Sequence, residues 1–232
     1  MTLERYVEVG KKRLRCGYTT GTCAAAAAQA CGQALLAGNF PHSLRIDTPA
    51  GIAVVVEPEE MHRGTDAQGT PWASCGVRKD AGDDADATDG ALVVVRVSLV
   101  NTPGTTIEGG AGVGRVTRAG LDQPVGAAAI NSVPRAMIAS ELERIAREHG
   151  WQGGFAVEVS VPGGEEIARK TFNPRLGIEG GISILGTSGI VRPMSEEALV
   201  ESIRLEMRMR RAQGLRDLVL VPGNYGQDWA QD

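Results

Sequence analysis

Large rings are scarce in this chain, with three each of phenylalanine, tyrosine and tryptophan among 232 residues. A core with so few of them has to be closed by small aliphatic side chains at short range. Histidine is equally sparse: His42, His62 and His149 are scattered and form no ligand pattern, which removes the common zinc arrangements. The four cysteines, Cys16, Cys23, Cys31 and Cys75, lack zinc-knuckle spacing and read as small, reduced, buried side chains. No protein metal site is expected. Basic residues never concentrate beyond the neighbourhood of Arg208–Arg211 and the net charge is −4, so a nucleic-acid partner is disfavoured. No apolar run is long enough to cross a bilayer, and Met1–Arg15 carries charges where a secretory signal needs an apolar stretch. The expectation is a cytoplasmic protein with no membrane partner.

What the chain does have is glycine, 31 in all, and one long alanine tract. Thr20-Gly21-Thr22 offers a hydroxyl cap to a helix from Cys23 to Ala37, and Ala24–Ala28 allows a neighbour to approach closely. A hairpin is expected from Leu44–Asp47 and Ile52–Glu57, then a polar surface loop over 58–70, then a β-branched strand over Ala91–Val100. Pro134–His149 reads as a second helix closed by Gly150, with Ile138, Leu142 and Ile145 on one stripe. Phe155–Val161 alternates as a strand, and Pro162-Gly163-Gly164 would turn it into a second strand, Glu166–Thr171. A third helix opens at Ser195. Asp217–Val221 reads as a strand before a Gly-rich turn, Pro222–Gly226, of the type that meets a nucleotide-like ligand. The fold class is α+β: mixed β-sheets and about three main helices over 1–213, followed by the stub of a Rossmann-like α/β unit over 214–232.

Four segments carry possible chemistry. Arg15–Thr22 places threonine hydroxyls at a helix N-terminus, an arrangement suited to carboxylate or phosphate, or simply to a capped helix start. Cys75–Asp89 holds five aspartates, but not at calcium-loop spacing. It reads as a solvated acidic turn, with Lys79 and Asp80 as a charged pair able to manage a proton. In Glu108–Thr117 the glycine spacing is not that of a dinucleotide fingerprint, and Asn131 and Arg135 flank the start of the second helix. The richest segment is 170–195. It interleaves Gly177, Gly180, Gly181, Gly186 and Gly189 with Thr171, Ser183, Thr187, Ser188, Asn173 and the cations Lys170, Arg175 and Arg192, as a wall for an anionic, oxygen-rich ligand would.

Five runs, Gly17–Ala25, Lys79–Asp84, Ala129–Arg135, Lys170–Ile178 and Gly180–Gly189, closely resemble the cobalt-precorrin-5B C1-methyltransferase family of anaerobic cobalamin biosynthesis. The resemblance covers residues 15–226. It implies transfer of a methyl group from S-adenosylmethionine to C1 of a corrinoid, with cobalt present only as part of that substrate. It also implies that members continue beyond Gly226 into a Rossmann-like domain. On this reading Asp80 and Asp83 are the catalytic candidates, with Lys79 tuning Asp80. Thr19, Thr20, Thr22, Asn131, Arg135, Lys170, Asn173, Arg175, Thr187 and Ser188 are the substrate contacts, and Gly223, Asn224 and Gly226 would hold the methyl donor. The remaining expectations are a small-molecule corrinoid as partner and a homo-oligomer as one allowed state. A corrinoid- or anion-binding module without catalysis is the alternative.

Overall fold

A computed structural model describes residues 3–218. The chain opens with an antiparallel pair, β1 (Tyr6–Val9) and β2 (Lys12–Arg15), and passes through β3 (Gly17–Tyr18) into α1 (Thr20–Leu36). The expected hairpin follows as β4 (Leu44–Asp47) and β5 (Ala53–Val56). Next come β6 (Glu59–Thr65), β7 (Pro71–Arg78), β8 (Leu92–Val100) and β9 (Gly104–Gly109). Two short strands, β10 (Gly112–Val113) and β11 (Arg115–Val116), precede α2 (Ser132–His149) and β12 (Gly154–Ser160). A brief α3 (Gly164–Ala168) leads to β13 (Ile178–Glu179), β14 (Gly181–Ile182) and β15 (Ile190–Val191), and α4 (Glu196–Ala212) is the last described element. The architecture is α+β with mixed sheets.

The main sheet has the order β6-β7-β8-β12-β9, antiparallel except for the parallel pair β12–β9. Its period-2 alternation sends Ala73, Cys75 and Val77 of β7, Val93, Val95 and Val97 of β8 and Val157 and Val159 of β12 to one buried face. The register aligns them across strands: Cys75 with Val95, and Val95 in turn with Val159. On the other face Arg96 lies over the Trp72 ring at 3.9 Å and sits opposite Glu158.

Helix α1 packs against β7 and β8 on one side and α2 on the other. Every residue from Thr20 to Cys31 is buried. Such all-round burial suits a helix without an amphipathic stripe, and the alanines make it possible by keeping the cylinder thin. Its start is fixed by the Thr19 side chain, which accepts the Thr22 N–H at 3.2 Å. Contact with α2 is close enough that a Cβ on Gly32 would sit 2.8 Å from a Leu142 methyl. Ile138, Leu142 and Ile145 of α2 are fully buried, as their spacing requires. Gly150 ends α2 in the left-handed conformation, φ 67°.

Two expected elements are corrected. The polar segment over 58–70 is not simply a loop: it contains β6, the edge strand of the main sheet, joined to β7 by a turn in which Asp66 accepts the Gln68 and Thr70 N–H groups. An edge strand solvated along most of its length shows no apolar alternation to read. The expected strand Glu166–Thr171 is instead helix α3 and a turn. Gly163 enters the left-handed region (φ 72°) and starts a helical turn, and Lys170 and Thr171 N–H groups close back onto Ile167 and Ala168. Of the expected strand Asp217–Val221, Asp217 and Leu218 are not in a strand and the rest lies outside the described residues, as does the Pro222–Gly226 turn.

Helix α4 is capped as expected, Ser195 accepting the Ala198 N–H at 3.2 Å, with Glu196 and Glu197 in its first turn. It differs from α1 in burial. Only Met209 is buried, against Gly120, while Leu199, Val200, Ile203 and Met207 stay exposed.

The tight packing at Gly17 and Gly32 predicts unequal outcomes for the same substitution. A Cβ on Gly17 would meet backbone atoms, the Asp80 carbonyl oxygen at 2.2 Å and the Ala81 carbonyl carbon at 2.3 Å. Gly17→Ala is expected to destabilise by about 2–3 kcal/mol. At Gly32 the new methyl meets only movable side-chain ends, and the gain of about 1 kcal/mol in helix propensity offsets the crowding. Gly32→Ala should therefore fall within about 1 kcal/mol of the parent in urea unfolding. Equal effects at the two positions would contradict this packing.

Candidate functional site

The start of α1 is enclosed by the 183–191 segment. Strand β15 pairs with β3 (Ile190 with Tyr18, Val191 with Gly17), and the loop before it lies across the helix end. The Gly21 N–H donates to the Leu185 carbonyl at 3.0 Å and the Thr19 N–H to the Gly189 carbonyl at 3.1 Å. Thr22 Oγ1 donates to the Gly189 carbonyl at 2.7 Å, and Thr20 Oγ1 accepts the Leu185 N–H at 3.0 Å. The loop has little room: a Cβ on Gly186, at φ 134°, would come within 2.4 Å of the Thr19 Cβ. The amides that a helix N-terminus offers to an anion are thus largely taken by protein carbonyls and hydroxyls here.

Beside this junction is a cavity of about 180 Å³ lined by Thr19, Thr20, Lys79, Asp86, Thr88, Thr171, Asn173, Ile182, Ser183, Leu185 and Val191. Its floor carries an ion pair between a buried lysine and a partly exposed aspartate. The Lys79 side chain is 2% exposed and its Nζ lies 2.5 Å from Asp86 Oδ2. Asp86 Oδ1 accepts both the N–H and the hydroxyl of Thr88, at 2.7 and 2.6 Å. Burial pushes the Asp86 carboxyl up, but the Lys79 charge and the donors from Lys79 and Thr88 outweigh it and hold the group below the usual carboxylate range. On the opposite wall, Asn173 Nδ2 donates to the Gly181 carbonyl at 3.2 Å and Ser183 Oγ to Asn173 Oδ1 at 3.4 Å.

The acidic loop is clamped rather than loosely solvated. Asp80 receives a bidentate Arg15 guanidinium, both contacts at 2.7 Å, and Asp83 accepts the Arg15 backbone N–H at 2.7 Å. Asp84 accepts the Met194 N–H at 3.3 Å, and Asp89 accepts the Ala81 N–H at 2.8 Å. The Arg15 hydrogen bonds hold the Asp80 carboxyl below its ordinary value against its partial burial. Lys79 therefore pairs with Asp86, not with the expected Asp80, and neither Asp80 nor Asp83 lines the cavity. The alternation along 79–86 turns Asp80 outward to Arg15, while the bend after Asp84 brings Asp86 back under Lys79.

Of the expected substrate contacts, Thr19, Thr20 and Asn173 line the cavity. Thr22 is buried behind them, and Ser188 exchanges hydrogen bonds with Ile190. Arg135 is a structural pin: its guanidinium donates to the Ile130 and Ile107 carbonyls, each at 2.8 Å. Asn131 precedes α2 without a side-chain cap bond, and Lys170, Arg175 and Thr187 are exposed outside the cavity. Asp86 and Thr88 were missed because nothing in an aspartate-rich turn marks which carboxylate folds inward. Gly223, Asn224 and Gly226 lie outside the described residues. Among the described residues no three His, Cys, Asp or Glu side chains gather as a metal centre requires.

Comparison with known proteins places this geometry in context. The CbiD family profile matches residues 7–193. The cobalt-precorrin-5B C(1)-methyltransferase of Ruminiclostridium cellulolyticum is 47% identical over 228 residues, which cover 98% of this chain and 58% of that protein. The protein of the same name from a Thermoanaerobacter species is also 47% identical, over 98% of this chain and 60% of that one. This chain therefore spans about three fifths of the length of the curated relatives it matches. A crystal structure of a cobalamin biosynthesis protein (cbiD) from Archaeoglobus fulgidus superposes with a TM-score of 0.59 at 35% identity, covering 88% of this chain and 63% of that one.

The Arg15–Asp80 pair is half-sheltered, with side chains 21% and 26% exposed. Replacing Asp80 by Asn is expected to lower stability by about 1–2 kcal/mol at neutral pH. Because the carboxyl is depressed in the folded state, its contribution is complete above about pH 5 and disappears as pH falls below about 4. Thermal melts across this range should show wild-type and Asp80→Asn converging in acid. A gap that stays constant down to about pH 3 would contradict the pairing.

Proposed function

The chain belongs to the CbiD family, and from that premise we propose that it takes part in the transfer of a methyl group from S-adenosylmethionine to C1 of cobalt-precorrin-5B, giving cobalt-precorrin-6A, in the cytosol. The observation that carries this reading is convergence. Four of the five sequence runs that resemble the family contribute to one cavity: Thr19 and Thr20 from the first, Lys79 from the second, Thr171 and Asn173 from the fourth, and Ile182, Ser183 and Leu185 from the fifth. The fifth-run segment is also tied to the remaining run, since the Asn131 N–H donates to the Ile184 carbonyl at 3.0 Å.

The chemistry asks for alignment more than activation. A methyl on a sulfonium is already electrophilic, and an electron-rich tetrapyrrole carbon attacks it without a protein nucleophile. The protein then gains rate by fixing the two reactants in line and keeping water out. Three of the thiols fit that division of labour: burial pushes those of Cys16, Cys23 and Cys31 up, that of Cys23 to about 12, so none of the three offers a thiolate at neutral pH. The cavity is far smaller than a macrocycle. It suits one polar arm of a ligand whose ring lies across the mouth, near exposed Leu185, with Val191 behind it.

Incubation with methyl-labelled S-adenosylmethionine and cobalt-precorrin-5B tests the reading. The expected result is one labelled methyl in the corrinoid product. Corrinoid binding by absorbance titration without transfer would leave only a binding module. Neither binding nor transfer would remove the proposal.

A further inference from the structure

The hydroxyls around the cavity are already committed as donors. Thr22 donates to Gly189, which leaves Thr19 as the donor in the 3.2 Å Thr19–Thr22 contact. Thr20 donates to the Ser183 and Leu185 carbonyls (both 3.3 Å), Thr88 to Asp86, Thr171 to the Ala168 carbonyl at 2.8 Å, and Ser183 to Asn173. Lys79 is different. Its ammonium carries three N–H donors, and among the described residues only Asp86 accepts one of them. Two donors of a cation that is 2% exposed are left without a protein acceptor at the edge of a cavity. Leaving buried donors unmet is costly, and a charged donor more so.

We infer that the cavity is a carboxylate-binding site, in which Lys79, held in place by Asp86, receives one ligand carboxylate through its two remaining N–H donors. Between anions, the charge count favours a monoanion over a dianion. Asp86 already balances Lys79, so a carboxylate brings one excess negative charge to be shared across the ammonium, whereas a phosphate dianion would bring two. The volume of about 180 Å³ accommodates a short acidic arm and excludes a tetrapyrrole macrocycle. Asp86 acts as a positioning residue: Thr88 fixes its other oxygen, so the carboxylate cannot swing away from Lys79. The inference rests on the function proposed above for its two sources of carboxylate, the acidic arms on the corrinoid rim and the amino-acid end of S-adenosylmethionine.

Two pairs of probes separate these sources in calorimetric titrations. One pair is a corrinoid with free peripheral carboxylates and its methyl ester; the other is S-adenosylmethionine and its decarboxylated analogue. In one pair, wild-type protein is expected to prefer the acid by about tenfold or more. That preference should be lost in the double variant Lys79→Met/Asp86→Asn, which removes both charges and leaves no buried ion alone. The ester or the decarboxylated analogue should bind both proteins alike. Lys79→Gln is the second variant should the double substitution fail to fold, and it is expected to lose the same preference. An acid preference that survives loss of the Lys79 charge, or no acid preference in either pair, overturns the inference. Methyl transfer without a Lys79-dependent acid preference removes this inference and leaves the function standing. A Lys79-dependent acid preference without methyl transfer does the reverse.

Discussion

Burial of α1 on every side from Thr20 to Gly32 is the constraint on which the molecule depends. A helix enclosed by a sheet, a second helix and a strand pair can expose no polar side, so its sequence must be small and nearly featureless. Ala24–Ala28, with Cys23, Cys31 and Gly32, meets that requirement, and β7, β8 and α2 supply the larger partners Val77, Val93, Val95, Ile138 and Leu142. Alanine contributes little buried area per residue, so stability comes from the neighbours that it lets in. The same thinness brings the helix start under the 183–191 segment, and the cavity exists because those two meet.

Around that junction, charge is managed in layers. Arg15 holds Asp80 and Asp83 on the outside of the acidic loop, and Lys79 holds Asp86 on the inside. A turn with five aspartates would repel itself if all faced one way. Dividing them between an outer arginine, an inner lysine and five backbone amides (those of Arg15, Ala81, Gly82, Thr88 and Met194) removes the repulsion and fixes the path of the chain. The outer half serves the fold and the inner half serves the cavity.

How much of this was legible in the sequence differs by kind of signal. Helices α1, α2 and α4 were readable because caps, stripes and terminal glycines are local: Gly150 and Ser195 do in the structure what their chemistry suggests, while α1 begins at Thr20 with Thr19 as its cap, three residues before the expected start at Cys23. The β4–β5 hairpin was readable from its turn, strand β8 from its β-branched run and β12 from alternation. Strand β6 was not, because an edge strand in water shows no apolar face, and α3 was not, because one helical turn after Gly163 is set by the chain folding back onto Ala168. At the site, the motif-bearing segments were found but the roles of their hydroxyls were not. A threonine that binds a ligand and a threonine that caps a loop look the same in one dimension, and Thr20 and Thr22 prove to hold the 183–189 loop. Lys79 was noticed, and its partner was mistaken for the adjacent Asp80 because the bend that returns Asp86 is a tertiary event.

Helix α4 carries a different consequence. It has 17 residues, yet only Met209 is buried, so it lacks most of the tertiary packing from which helices in proteins draw their stability. Opening α4 would expose little that is not already wet, whereas opening α1 would uncover the centre of the core. The two helices therefore stand at opposite ends of the molecule's opening free energies. In deuterated solvent the amides of α4 would exchange by fraying, while those of α1 would wait for the whole core to come apart.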